Sequence, residues 1–228
     1  MGNFTFDVKK AKGTSDATQS DHIERKVIPH NADPTRTHLN MALVTYPDGV
    51  NGRDEAIAYR LKTAGIKRKI TNDQVRVVRI VMSGTHEDMM AIYKNGKLGE
   101  WCQDSIRYLY DTFGRENVVS AHLHMDEKTP HMHLSFVPLT EDGRLCAKEV
   151  LSKATLTEQQ TAFHEQVGQH YGLDRGEPKG SGKRRKHLET AEYKAYMATI
   201  QKAEQRAAEA VNTVGTVRGI NHHPQENG

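Results

Sequence analysis

The sequence predicts an α+β fold, or an α/β sandwich, around a largely antiparallel sheet. Segments with the two-residue period of strands alternate with segments of helical period. Their order is β-α-β-α-β-α-β-β-(β)-α, followed by one more helix. Two strand-like runs near the middle are joined by a tight loop, which makes them an antiparallel hairpin. The 228 residues suit one good-sized domain, or a domain with an appended helix, and 36% hydrophobic content suffices for one core.

Phe4, Phe6 and Val8 alternate with Thr5 and Asp7, the pattern of a half-buried strand. Ser20–Ile28 reads as a short helix capped by Ser20 or Asp21. Leu39, Met41 and Leu43 alternate again and predict a second strand ending near Pro47-Asp48-Gly49. Asp54–Ala64 carries Ile57, Leu61 and Ala64 at helical spacing. Val75–Met82, rich in β-branched residues, predicts a buried strand. Leu98–Phe113 places Cys102, Ile106, Leu109 and Phe113 on one helical stripe, stopped by Gly114. Val118–Met125 and His131–Pro138 form the hairpin, and Arg144–Val150 suggests a short edge strand. Thr155-Leu156-Thr157-Glu158 has the form of a capping box opening a helix with Leu156, Phe163, Val167 and Tyr171 on one face. A glycine-rich basic stretch, GLDRGEPKGSGKRRKH, then reads as a linker. Leu188–Val211 predicts a long exposed helix, and the tail beyond Gly215 a disordered end.

The two cysteines, Cys102 and Cys146, stand apart, which argues against a disulfide scaffold and for a reduced setting. Neither a signal-peptide core nor an apolar run long enough to span a bilayer is present, so a cytoplasmic protein without membrane partners is expected. The formal net charge of +3 is a mild bias toward anionic partners.

The run HLHMDEKTPHMH, His122 to His133, holds four of the thirteen histidines. On a strand, alternate side chains share a face. His122 and His124 therefore point one way, and His131 and His133 the same way from the next strand. Their apolar neighbours face the core. Cross-strand pairs bring Cβ atoms within about 4.5–5.5 Å, so several imidazoles can reach one ion. Imidazole suits zinc, manganese, iron, copper or nickel, and a thiolate-free histidine site leaves positions open for water or substrate. Asp126 or Glu127 would orient a ligand or act as a base. The unremarkable reading is a structural ion, or a polar surface without one.

Three segments carry a resemblance. HMDEKTPHMH resembles the motif H-x-D-E-x-T-P-H-x-H of the Mob/Pre relaxases, plasmid mobilisation and recombination proteins of the HUH endonuclease superfamily. SDHIERK, Ser20 to Lys26, resembles their H-x-E-R motif, and DPTRTHLN, Asp33 to Asn40, their second segment. The similarity runs from the first strand to about residue 195. It implies a five-stranded antiparallel sheet flanked by helices, over a nicking domain of residues 1–195. Residues 196–228 are then a C-terminal helix and tail, the start of a longer, oligomerising region. It further implies binding to origin-of-transfer DNA, single-stranded or supercoiled, and a strand-specific nick that leaves the enzyme joined to the 5′ end.

Residue by residue, the resemblance makes His124, His131 and His133 the ligands of a divalent cation, Mn²⁺ or Mg²⁺. Glu127 becomes a base or supporting group, and His22 the nucleophile, with Glu24 and Arg25 in the same motif. His122 falls outside the pattern, as an extra group beside the ligands or a surface histidine. Neutral imidazole is nucleophilic near pH 7, whereas tyrosine needs activation. Tyr46 is the nearest alternative nucleophile. From the residues alone, His22 is equally a surface histidine on a short helix.

Arg25 and Arg36 are expected to clamp phosphates. His38 and Asn40 either contact DNA or tie the sheet edge. Lys183, Arg184, Arg185 and Lys186 are expected to grip the DNA backbone, and Ile66-Lys67-Arg68-Lys69 is a second basic cluster. Two other readings remain. One is a rolling-circle replication initiator or transposase using a later tyrosine, for which Tyr171 is the candidate. The other is a non-catalytic DNA-binding module braced by its ion.

Overall fold

A computed structural model describes residues 2–12, 16–176, 199 and 202. The chain divides into residues 1–178 and 179–228. Apart from residues 199 and 202, the second unit, with Lys183–Lys186 and nearly all of the predicted 188–211 helix, lies outside the described residues.

Among the described residues, five strands form one sheet in the order β1-β3-β5-β4-β2, with every pair antiparallel. They are β1 (Thr5–Lys12), β2 (Met41–Ala42), β3 (Val75–Ser83), β4 (Val118–His124) and β5 (His131–Phe136). The α-helices within residues 16–176 are α1 (Ala17–Ile23), α2 (Arg53–Thr63), α3 (His86–Lys94), α4 (Leu98–Phe113), α5 (Ala147–Val150) and α6 (Lys153–Gln166).

One sheet face carries the main core. Phe6, Val78, Ile80, Met82, Leu123, Met132 and Leu134 pack there against Met89 of α3, Trp101 and Leu109 of α4, and Phe163 of α6. The predicted stripe of α4 is buried at Cys102, Ile106, Leu109 and Phe113, and Gly114 ends the helix at φ +85°. On the opposite face, α2 covers only one end of the sheet, where Ala56 and Ile57 pack on Val77, Val119 and Val137. The other end of that face is left for polar side chains.

Several elements differ from expectation. Helix α1 starts earlier, after Asp16, and stops at Ile23 because Arg25 turns the chain with φ +54°. The second strand shrinks to two residues. Asp33 accepts a hydrogen bond from the Thr35 N–H, and Pro34 opens a 3₁₀ turn over Pro34–Leu39. The expected edge strand at 144–150 is a single bridge, Leu139 to Leu145, followed by the short α5. Helix α6 is capped by Ser152, whose Oγ accepts from the Thr155 N–H at 3.1 Å, rather than starting at Thr155. Helix α3 was not expected, since its buried stripe is only Met89 and Ile92.

Candidate metal centre

Strands β4 and β5 pair so that His124 lies opposite His131 and His122 opposite His133, as predicted. Three rings converge: His124 and His133 have centroids 4.7 Å apart, His131 and His133 4.9 Å, and His124 and His131 5.2 Å. His131 Nδ1 donates to the Thr129 carbonyl at 2.9 Å, so in the neutral ring the lone pair is on Nε2. That Nε2 sits 3.1 Å from His133 Nε2. His124 Nε2 donates to the Ile23 carbonyl at 2.8 Å, and its Nδ1 is buried with no hydrogen-bond partner among the described residues.

Burial pushes His124 down to about 3, helped by the neighbouring His131. Burial also holds His133 well below the ordinary imidazole value. Both rings are therefore neutral at pH 7, the form that binds metal. Convergent lone-pair nitrogens, a buried ring nitrogen without a partner and no competing thiol fit a divalent cation.

Two further groups reach this cluster. Helix α1 brings the His22 ring to 5.6 Å from His133 and 6.0 Å from His124. The ligand-capable atoms of His22, His124 and His133 all lie within 4.8 Å of one another, as do those of His124, Glu127 and His131. Burial and the Arg25 charge lower the His22 pKa, so this imidazole is neutral and carries a free lone pair at pH 7.

The expected role of Arg25 as a phosphate clamp gives way to an internal one. Its Nε and Nη2 donate to the two oxygens of Asp126 at 2.9 and 2.8 Å, Nη2 also to Glu127 at 2.8 Å, and Nη1 to the His22 carbonyl at 2.9 Å. The side chain is 6% exposed and Asp126 is fully buried. Burial alone would raise the Asp126 pKa, but hydrogen bonds from Arg25 and Asn40 and the Arg25 charge outweigh it and bring it to about 2. Arg25 is also the non-glycine residue with positive φ among those described, a local cost of roughly 1–3 kcal/mol that these contacts offset.

Asn40 ties the second motif into the same knot. Its Nδ2 donates to Asp126 at 2.7 Å, and its Oδ1 accepts the Met125 N–H at 2.6 Å. Thr37 Oγ1 donates to Asp126 at 3.3 Å, and the Asp33 N–H to the Asp126 carbonyl at 2.7 Å. Asn40 is thus a tie rather than a free DNA contact. Glu127 has both oxygens engaged, Oε1 by Arg25 and Oε2 by Asn31 at 2.7 Å, and Oε1 lies 3.9 Å from His131 Nε2. This carboxylate is held at the ligand cluster by both of its oxygens.

His122 stands outside both ligand groups; its Nδ1 is buried without a hydrogen-bond partner among the described residues. Arg36 is half-buried in the 3₁₀ turn and His38 is exposed. The Tyr46 hydroxyl donates to Glu24 Oε1 at 2.9 Å, and burial together with that carboxylate pushes its pKa far above the ordinary phenol value. The Tyr171 hydroxyl donates to Asp104 of α4, the helix that covers the opposite sheet face.

Sequence reading missed Arg53, the buried arginine at the first position of α2. The one available signal was electrostatic, because a cation opposes the dipole at a helix N-terminus and so needs another reason to be there.

A family model for plasmid recombination enzymes (Mob_Pre) matches residues 1–195. The chain belongs to this family. It is 41% identical over 115 residues to plasmid recombination enzyme type 1 of Staphylococcus aureus, covering 50% of this chain and 28% of that one. A Lactiplantibacillus plantarum plasmid recombination enzyme is 30% identical over 187 residues, covering 80% of this chain and 50% of that one. The chain thus spans half or less of the length of these relatives. It is also similar to the MobM relaxase domain, solved with Mn bound and in complex with plasmid pMV158 oriT DNA. That similarity has TM-score 0.74 and 25% identity, and covers 85% of this chain and 99% of that domain. The five-stranded antiparallel sheet flanked by helices is shared. Among the described residues, no helix is long and apolar enough to cross a membrane.

Proposed function

We propose that this chain carries a relaxase activity: it binds the origin of transfer of a plasmid or mobilisable element and nicks one strand at a specific site. Residues 1–195 would be the nicking domain, and mobilisation would begin from that cut, in the cytoplasm. The observation that carries the reading is the convergence of His22, from α1, on the His124, His131 and His133 cluster. His124, His131 and His133, with Glu127 at their side, would hold Mn²⁺ or Mg²⁺. Bound there, the cation would supply Lewis acidity to the scissile phosphate.

The neutral His22 ring directs its lone pair at phosphorus. A nitrogen–phosphorus bond forms and the bond to the 3′ oxygen breaks. The leaving oxygen takes up a proton, the attacking ring sheds its N–H proton, and the strand ends in a free 3′-OH. The 5′ phosphate stays on His22 as a phosphoramidate, which preserves the energy needed to reseal the strand. Tyr46 is a poorer nucleophile, because its hydroxyl is committed to Glu24 and strongly held protonated. Tyr171 lies beside α4, away from the cluster, which disfavours a replication initiator or transposase mechanism through that residue. Arg36 and Lys183, Arg184, Arg185 and Lys186 remain proposed contacts to the DNA backbone.

The test is incubation with an origin oligonucleotide and Mn²⁺, followed by peptide mapping of the DNA adduct. His22→Ala should abolish the adduct while retaining Mn²⁺ binding. An adduct on Tyr46 would overturn the nucleophile assignment. A His22→Ala protein that loses Mn²⁺ affinity would make His22 a metal ligand instead.

A further inference from the structure

Arg53 has no exposed surface, and its guanidinium reaches three separate places. Nε donates to Ser135 Oγ of β5 at 2.9 Å, two residues beyond His133. Nη1 donates to Ser20 Oγ of α1 at 2.8 Å, two residues before His22. Nη2 pairs with Asp16, the residue that precedes α1. Ser20 Oγ in turn donates to Asp54 at 2.5 Å, and the Arg53 backbone N–H donates to Glu24 Oε1 at 2.7 Å.

Beyond Arg79, 3.5 Å from Asp16, little else among the described residues holds helix α1. It is seven residues long, has no side-chain N-cap bond, and buries only Ser20 and Ile23. A helix this short is not stable alone, and so small a buried face contributes little anchoring. Its C-terminal end is fixed by the His124 and Arg25 bonds to the Ile23 and His22 carbonyls. Its N-terminal end is fixed by Arg53.

We propose that Arg53 is a positioning residue: through Ser20 and Ser135 it sets the distance between the His22 ring and the ligand histidines of β5. The role rests on the reading of His22 as nucleophile. Displacing a reacting group by about 1 Å costs on the order of 100-fold in rate, so loosening one tie should be visible in chemistry before it is visible in folding.

Replacing Arg53 outright leaves Asp16 to the more distant Arg79, at 3.5 Å, and endangers the fold, so the decisive variants are Ser20→Ala and Ser135→Ala, with the charge-keeping Arg53→Lys alongside, all in the full chain. Melting temperature, Mn²⁺ affinity, oligonucleotide affinity and single-turnover adduct formation are measured on each. The expected result is a fold and both affinities near wild type, with adduct formation slowed about 10-fold or more. His22 ring resonances should shift in the metal-free protein, with smaller changes at His131. Adduct rates equal to wild type, in a wild type that labels His22, overturn the positioning role alone. Parallel losses of Mn²⁺ affinity and rate overturn it too, since Arg53 would then merely support the whole site. A wild-type adduct on another residue overturns the nucleophile reading and this role with it.

Discussion

Arg25→Ala is the perturbation whose cost follows most directly from the geometry. It removes two hydrogen bonds to Asp126, one to Glu127 and one to the His22 carbonyl. Asp126 is 1% exposed and would keep only neutral donors, Asn40 and Thr37. Removing one partner of a buried ion pair costs about 3–5 kcal/mol, because the remaining charge is left uncompensated. Alanine at φ +54° relieves none of the backbone strain, so nothing offsets that loss. Typical domain stability is about 5–15 kcal/mol, so the variant should retain a fold with a sharply lowered urea midpoint. In an Asp126→Asn background the charge is already gone, and Arg25→Ala should cost less than in wild type by at least ~1 kcal/mol. Equal costs in both backgrounds, or a loss below ~1 kcal/mol in wild type, would refute the argument that the pair is a buried clamp.

Acid should act on the same residue. Its folded-state pKa of about 2 lies below the ordinary 3.8, so the unfolded chain binds the proton first. The stability Asp126 contributes is therefore complete above about pH 5 and lost progressively as pH falls toward 2; an Asp126→Asn protein should show a shallower acid dependence over that window in urea titrations. EDTA should abolish nicking of supercoiled plasmid while the far-ultraviolet circular dichroism stays unchanged, because apolar cores on both sheet faces do not depend on the ion. Unfolding on chelation would mean that the ion is structural. Tyr46→Phe removes one hydrogen bond to Glu24, for a stability loss of about 1 kcal/mol, and should form the covalent adduct at wild-type yield. Loss of the adduct in that variant would return Tyr46 to candidacy.

The hairpin was legible because strand side chains alternate: once His124 and His131 were placed on either side of a short loop, their meeting followed from periodicity. Helix α4 was legible for a similar reason, since its stripe and Gly114 are local signals. What could not be read locally was pairing across the chain. Arg25 looks like any exposed arginine until Asp126, 101 residues away, is folded against it. Arg53 looks like a poorly placed surface cation until Ser20, Asp16 and Ser135 surround it. Helix α3 escaped notice because two buried residues make too thin a stripe, although Thr85 caps it with a bond to the Asp88 N–H. Periodicity gave five strands and a sixth, at 144–150, that is only a bridge followed by a short helix; the choice of three ligand histidines came from the family resemblance.

The knot around Asp126 also limits what can be borrowed from this protein. A designer who moved only the histidine hairpin into a foreign sheet would carry over the imidazoles without Arg25, Asn40 and the turn that seats them. The acidic loop would then keep a charge with no counterpart. The smallest portable unit is discontinuous, joining residues 16–40, the start of α2 and the two central strands, so the centre travels as a whole or not at all.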